Sequence, residues 1–480
     1  MKIDRKDIFV RAKAEQEAGY LSDRPGDFPY RVSGYNFFFD FQDEGRYLIY
    51  NSISNGLAEV SSDVFKWLES GGPGLAKLVN NPEQTDLLKS LYQGNIVVDR
   101  DFDEVEFLRV KLDLMRYSLK TLALTIVPTL DCNLDCIYCY EGNRTKKYMD
   151  EETESAVVDF VKNRLENFAY KGLHITWYGG EPLLHPDAIY RMSEKFLKIC
   201  KSVKASYGAT MVSNGTLFTD AVIKKLKKCK VGIIQVTLDG IREIHDQRRP
   251  FTERVRSSFD EIIANISRLI GVIPINIRIN VDKTNFADTV KLLDEFKGRG
   301  WLDNREGIFI YIGYTREWTA HCHNILENCF SMREFTEAEM RFQEELALKG
   351  YNVGNLYPSL TAYCVAVSNH GFVIEPGGEL HKCWSDIGNK DAYLGNVREP
   401  LVINKKLLKW LGYEPLTLFA GCRECKFFPI CAGGCPYVAL FQHEKLDRDR
   451  FYNCTPWKLF MEKKMKAFIR QRAGDKNDRR

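Results

Sequence analysis

The chain has no run of apolar residues near the ~18 that a membrane-spanning helix requires. Its opening residues, MKIDRKDIFVRAKAEQEAGY, alternate charge with short apolar runs and form no signal-peptide hydrophobic region. These absences argue against a membrane partner and for a cytoplasmic location. Charge of one sign is equally scarce. The 68 Lys and Arg against 65 Asp and Glu leave +3 over 480 residues, too little to point to nucleic acid. There is no internal repeat and no low-complexity block. What is left, 44% hydrophobic and 12% aromatic residues, is the composition of a globular protein. Its length allows two or three packed units, because single cores stop growing near ~250–300 residues.

Cysteine is abundant, with 14 in the chain. Reducing compartments keep thiols free, and disulfide frameworks belong to small secreted domains, so metal or cluster ligation is the leading explanation. The cysteines fall into two regions. Cys132, Cys136 and Cys139 stand together, and Cys364, Cys383, Cys422, Cys425, Cys431, Cys435 and Cys454 crowd the carboxy-terminal part. Cys200 and Cys229 lie in helical patterns and read as packed thiols.

From Leu122 to about Ile312, the runs LALTIVP, LHITWYG, YGATMVS, VGIIQVTL, INIRINV and GIFIYIG are near-continuously apolar, as in strands of a covered parallel sheet. Between them, segments such as TESAVVDFVKNRLENF and SFDEIIANISRLI carry apolar residues at helical spacing. Six strands alternating with helices predict an α/β fold, a partial (β/α)6 parallel barrel whose working face is the carboxyl ends of its strands. Residues 1–115 read as a separate small domain, with YNFFFDF, GRYLIYNS and GLAEVSS as a meander and DVFKWLES and EQTDLLKSLYQ as helices. The barrel is expected over 116–318 and a bridging segment over 319–360. A loop-rich, cysteine-bearing unit over 361–480 has too little apolar periodicity to hold itself without clusters. The basic tail from Lys463 to Arg480 reads as a solvated helix end.

DCNLDCIYCYEG follows the first predicted strand, which puts three thiols on a loop at the working face. A 4Fe-4S cube normally takes four thiolates, so three in one loop leave an iron open to an exchangeable ligand. A three-thiolate zinc site completed elsewhere is the alternative. The loop, with Tyr138 just before its last cysteine, resembles the cluster motif of the radical S-adenosylmethionine (SAM) superfamily. Gly179-Gly180-Glu181-Pro182 after the second strand resembles that family's GGE motif, and Ser213-Asn214-Gly215-Thr216 after the third its ribose-side turn. Thr237-Leu238-Asp239-Gly240 with His245-Asp246 and Arg249 resembles its S-L-D-G…H-D-x-x-R run. The resemblance implies SAM and a 4Fe-4S cluster as cofactors. Tyr138, Gly179, Gly180, Glu181, Ser213, Asn214, Thr237, Asp239 and Arg249 are then the cofactor-binding residues. Independently of it, the glycines permit close backbone approach, and Glu181 offers a carboxylate to a cationic amine.

The carboxy-terminal pattern, C-x13-G-x4-C, then C-x2-C-x5-C-x3-C and a final cysteine, resembles the SPASM extension of peptide-modifying radical enzymes. That resemblance implies two auxiliary 4Fe-4S clusters. Cys364, Cys383 and Cys435 would hold the nearer one, and Cys422, Cys425, Cys431 and Cys454 the outer one. Where some relatives carry a further cysteine, this chain has Pro358, so either Cys329 or Cys322 completes the nearer cluster or one iron stays open. Cys329 is the expected ligand. A zinc ribbon would explain Cys422 and Cys425 alone.

The amino-terminal meander and helices resemble the winged-helix peptide-recognition element of maturases for ribosomally made peptides, which add a leader peptide as a strand to a sheet edge. The alternative is a structural cap on the barrel. Together these resemblances imply a maturase that forms a cross-link such as a thioether on a precursor peptide carrying a leader, driven by an external flavodoxin- or ferredoxin-like reductant. Anaerobic sulfatase-maturating enzymes, which make formylglycine, are the competing expectation. They carry a catalytic aspartate directly after the second SPASM cysteine, where this chain has Trp384, its nearest acid being Asp386. A non-catalytic Fe-S electron-transfer protein would need neither the GGE motif nor the ribose turn. No catalytic base is named from the sequence.

Overall fold

The computed structural model describes residues 30–41, 45–73, 82–118, 120–139, 146–301, 307–317, 325–351, 356–360, 364–442 and 453–477. The expectations for the first 29 residues and for Cys322 lie outside them.

The amino-terminal strands are Tyr30–Val32 (β1), Asn36–Phe41 (β2), Arg46–Asn51 (β3), Gly56–Val60 (β4) and Val97–Asp99 (β5). β2, β3 and β4 form an antiparallel meander in that order, and β1 pairs antiparallel with β5. Helices Ser62–Glu69 (α1), Pro82–Gln93 (α2) and Glu104–Arg116 (α3) accompany them. The side chain of Ser61 caps α1 by accepting from Val64 N, and Val64, Phe65 and Leu68 turn inward.

The main sheet is built on six parallel strands in sequence order: Thr121–Ile126 (β6), Gly172–Trp177 (β7), Ser206–Ser213 (β8), Val231–Leu238 (β9), Ile275–Val281 (β10) and Ile308–Tyr314 (β11). Glu151–Asn167 (α4), Pro186–Ser202 (α5), Asp220–Lys228 (α6), Arg242–Arg248 (α7), Ser258–Leu269 (α8), Thr289–Gly298 (α9) and Met332–Leu348 (α10) alternate with and follow these strands. All of them except α7 share one large apolar core with the sheet, in which Cys200 and Cys229 are buried. This is the partial barrel read from the sequence.

One detail differs from the expectation of uniformly apolar strands. On β10, Ile275, Ile277, Ile279 and Val281 are buried, while Asn276, Arg278 and Asn280 alternate with them and are only half-buried. One face of the sheet packs against helices, and the other lines a cavity in which polar groups stay hydrated.

The unit over 361–480 is expected from the sequence to be loop-rich. Yet Gly371–Ile374 (β12), Glu379–His381 (β13) and Gly395–Asn396 (β14) extend the sheet beyond β6, giving the order β11-β10-β9-β8-β7-β6-β12-β13-β14. β12 lies parallel to β6, with Ala123 N donating to His370 O and Val127 N to Ile374 O. Runs this short carry no periodicity of their own. They are strands because an unpaired edge of β6 offers them hydrogen bonds.

The amino-terminal unit packs on the carboxy-terminal segment. Leu108 and Leu112 of α3 share a core with Trp410, Tyr413, Leu416 and Phe428, while Phe39, Phe41, Leu48 and Tyr50 meet Ile430 and Met461, Met465 and Ile469 of the helix Trp457–Asn477. Hydrogen bonds follow the same seam, from Lys426 Nζ to Asn36 O (3.0 Å), Ser52 Oγ to Lys426 O (2.7 Å) and Arg116 Nη2 to Tyr413 O (2.6 Å). Among the described residues no helix is long and apolar enough to cross a membrane.

Candidate active site

The loop carrying Cys132, Cys136 and Cys139 leaves the carboxyl end of β6 and is laced on both sides. Asp131 accepts from Cys132 N through one oxygen (3.0 Å) and from Tyr148 Oη through the other (2.6 Å). Asp135 N donates to Pro250 O and Ile137 N to Arg248 O, tying the loop to the end of α7. Beneath it run Gly179 and Gly180, just past β7. A Cβ at Gly180 would stand 2.3 Å from Asp131 O, and one at Gly179, whose φ is +129°, 2.5 Å from Thr129 O. Only glycine lets the two loops approach this closely.

All three cysteines are half-buried and line one cavity of about 190 Å³ with Tyr138, Gly179, Gly180, Ser213, Asn214, Thr237 and Arg249. Among the described residues no three His, Cys, Asp or Glu side chains converge on a single metal-ion position. Three thiols lining one cavity could serve a cube, which takes each thiolate on a different iron.

Glu181 stands behind this lining. It is fully buried, and its carboxylate accepts from Leu183 N (3.0 Å), Asn214 N (2.7 Å) and Ser213 Oγ (2.9 Å). Burial raises its pKa to about 7 against the lowering effect of those donors. The carboxylate thus joins the ends of β7 and β8. Asn214 carries the connection to the cluster loop, its Nδ2 donating to Asn133 Oδ1 (2.7 Å) and approaching Cys132 Sγ (3.8 Å).

Tyr138 Oη donates to Asp239 Oδ1 (2.6 Å) and accepts from Arg249 Nη1 (2.8 Å). Arg248 Nε pairs with Asp239 and its Nη1 with Asp282, both at 2.8 Å, all in buried surroundings. Burial raises the Tyr138 pKa, so the phenol stays protonated and able to donate. The sequence motifs therefore meet at one place.

Sequence reasoning missed part of the wall. Gln235, Arg278, Asn280, Tyr314, Arg316, Tyr178 and Trp384 line the same cavity. The period-two alternation of INIRINV could have revealed Arg278 and Asn280. The proximity of Trp384 has no local signal. It stacks on Tyr178 at 4.4 Å, and its Nε1 donates to Thr125 Oγ1 (2.8 Å), contacts made possible by the pairing of β12 with β6. Asp386 does not line the cavity. It is buried, which raises its pKa to about 6, with His381 lowering and Glu375 raising it.

The carboxy-terminal thiols form two groups. Burial and then the neighbouring Cys431, Cys425 and Cys454 push the Cys422 thiol up to about 12. Cys431 is raised to about 11 by burial and by Cys454 and Cys425. Separately, Cys364 feels Cys435, and Cys383 feels Cys364. Desolvation and the repulsion between neighbouring thiolates are what a cluster or metal offsets when it takes these sulfurs as ligands. Cys329 Sγ donates to Ile325 O (3.3 Å). A second cavity, of about 550 Å³, is lined by Cys431, Cys435 and Cys454 and shares Arg278, Tyr314 and Arg316 with the first.

Residues 126–314 match the radical SAM superfamily. Over 372 residues the chain is 24% identical to the cysteine-type anaerobic sulfatase-maturating enzyme of Clostridium novyi (strain NT), spanning 72% of this chain and 96% of that protein. The solved structure of native anSMEcpe with bound AdoMet and Cp18Cys peptide aligns with a TM-score of 0.51 at 19% identity, covering 70% of this chain and 100% of that one. Streptococcus suis SuiB bound to precursor peptide SuiA aligns with a TM-score of 0.50 at 15% identity, covering 86% and 97%. At these identities the structural likeness is one of fold. With the motif residues meeting at the carboxyl ends of a partial parallel barrel, residues 126–314 form a radical SAM domain.

Proposed function

We propose that the chain is a SPASM-type maturase that modifies a ribosomally made peptide by forming a cross-link such as a thioether. The observation that carries this reading is the pair of adjoining cavities, in which the cluster-loop cysteines open onto one and Cys431, Cys435 and Cys454 onto the other, with Arg278, Tyr314 and Arg316 shared. A substrate held there lies between a radical source and two groups of thiols suited to auxiliary clusters, Cys364, Cys383 and Cys435 as one and Cys422, Cys425, Cys431 and Cys454 as the other. Cys329 is the proposed ligand for the remaining position of the nearer cluster, an open iron being the alternative.

When bound, the first cluster and SAM supply one-electron chemistry that yields a 5′-deoxyadenosyl radical able to take a hydrogen atom from the peptide. The protein's own part is positioning. Cys132, Cys136 and Cys139 would hold the cluster, Gly179 and Gly180 keep its loop close, and Ser213, Asn214, Thr237 and Arg249 face the cofactor. Tyr178 and Trp384 form an aromatic wall against the peptide. The meander offers β4 as a strand whose outer edge has no strand partner among the described residues, a place for a leader to add.

Sulfatase maturation is the second reading, favoured by the full-length similarity to the Clostridium novyi enzyme. Against it, Trp384 stands where an aspartate is expected and Asp386 is turned away from the cavity. Anaerobic co-expression with a short cysteine-rich open reading frame beside the gene separates the two by mass spectrometry. A cross-linked peptide two hydrogens lighter supports the first, and an aldehyde on a sulfatase-derived peptide supports the second.

A further inference from the structure

Arg278 belongs to none of the cofactor motifs, yet it lies where the two cavities join. Its Nε donates to Asn280 Oδ1 (2.8 Å), and its guanidinium lies across β11 at Gly313, where a Cβ would come within 2.3 Å of Nε. Arg278 is thus seated by a neighbouring acceptor and by an absent side chain. No carboxylate of the described residues pairs with it. Among the described lining residues of the inner cavity there are three arginines, Arg249, Arg278 and Arg316, and no aspartate or glutamate. Arg249 is bonded to Tyr138 beside Asp239. In the outer cavity the lone lining carboxylate, Glu339, is neutralised by Lys464 at 2.6 Å. Tyr311, whose hydroxyl donates to Gln235 Oε1 (2.6 Å), completes a polar wall beside the cation.

A fixed guanidinium in a half-buried cleft, with no carboxylate of the described residues against it, is suited to bidentate capture of an oxyanion. We infer that Arg278, flanked by Arg316, receives a carboxylate of the substrate, either an internal aspartate or glutamate or the peptide's carboxyl end, and holds the adjoining carbon beside the radical site. This rests on the reading that the substrate is a peptide, and it names the chemical class of residue that the cleft selects. Arg278 is a specificity-determining residue in this scheme.

The test is equilibrium binding to the anaerobically reconstituted, SAM-loaded full chain, using acetyl-Gly-Asp-Gly-amide, acetyl-Gly-Asn-Gly-amide and acetyl-Gly-Gly-Gly with a free carboxyl end. The expected result is that one of the two carboxylate probes binds about tenfold or more tighter than the Asn probe, as a charge-assisted pair would give. Whichever carboxylate probe prevails identifies the source of the group. In Arg278→Gln that preference disappears, while SAM is still bound. Gly313→Ala, which crowds the guanidinium without removing it, reduces the preference as well and serves as the second variant if Arg278→Gln does not assemble. Equal binding of the three probes, or a preference that survives in Arg278→Gln, overturns the inference. Loss of SAM affinity in that variant also overturns it, by assigning Arg278 to the cofactor. Because the readout is binding, a carboxylate preference that depends on Arg278 stands even where no co-expressed peptide is modified, and that outcome removes the maturase reading alone.

Discussion

At the scale of single residues, the site depends on a few groups with no freedom to change. Asp239 is fully buried and counters two guanidiniums, Arg248 directly at 2.8 Å and Arg249 at 3.9 Å. Asp239→Asn keeps the shape but strands buried positive charge, so stability to denaturant should fall by about 3–5 kcal/mol, the range for breaking a buried pair. Gly180→Ala puts a methyl into the carbonyls of Leu130 and Asp131. It should cost about 1–3 kcal/mol of strain and lower iron incorporation at the first cluster. Replacing Cys132, Cys136 and Cys139 together by Ala should abolish reductive cleavage of SAM and remove about four of about twelve irons, one cube's worth. Cleavage surviving in that triple variant contradicts the site.

Glu181 gives a pH dependence with a definite sign. Its pKa is raised from 4.5 to about 7, so folding favours its protonated form. The stability it contributes is full below about 4.5 and is lost as pH rises through about 7. Glu181→Gln does not titrate and presents an amide to donors that need an acceptor, a loss of about 1–3 kcal/mol. The gap between wild type and variant should therefore narrow from pH 6 to pH 8 in urea unfolding. A gap that widened would mean that the carboxylate is stabilised on folding.

At the scale of elements, the edge of β6 decides where the aromatic wall stands. Phe372 on β12 is buried against Phe160, beneath the guanidinium of Arg164 and the ammonium of Lys382. Phe372→Ala should cost about 3–5 kcal/mol and loosen β12 from β6. Trp384 would then lose its footing on Tyr178, and limited proteolysis within 371–396 should accelerate. The same scale shows what was legible in advance. The six parallel strands were readable because each is six to eight residues long and lies in a near-continuously apolar run set off from helical patterns. The strands β12 to β14 were not, since four-, three- and two-residue runs acquire their state from a neighbour.

At the scale of the whole molecule, the amino- and carboxy-terminal parts are one packing unit. If the amino-terminal region only bound a leader, removing residues before about 110 would leave cofactor cleavage untouched. The shared cores change that expectation. Such a truncation strips Phe39, Phe41, Leu48, Tyr50 and Leu108 from Ile430, Met465 and Trp410. It should lower solubility and the iron held by the carboxy-terminal cysteines together, measured as iron per chain against the full-length protein. A soluble truncated chain with full iron content would show the seam to be dispensable.

The sequence by itself determined the strand order, the cluster loop at a strand's carboxyl end and the motifs that accompany it, because hydrophobic periodicity and tight ligand spacing are local properties. Only the tertiary structure decided that Glu181 ties two strand ends from behind the cavity, and that Trp384 stacks on Tyr178 in the cavity wall. The same is true of Arg278 at the junction of two cavities and of the amino-terminal sheet resting on the carboxy-terminal helix. Each of these depends on contacts between residues far apart in the chain. The side chain's identity states what it can do, and the packing around it decides what it meets.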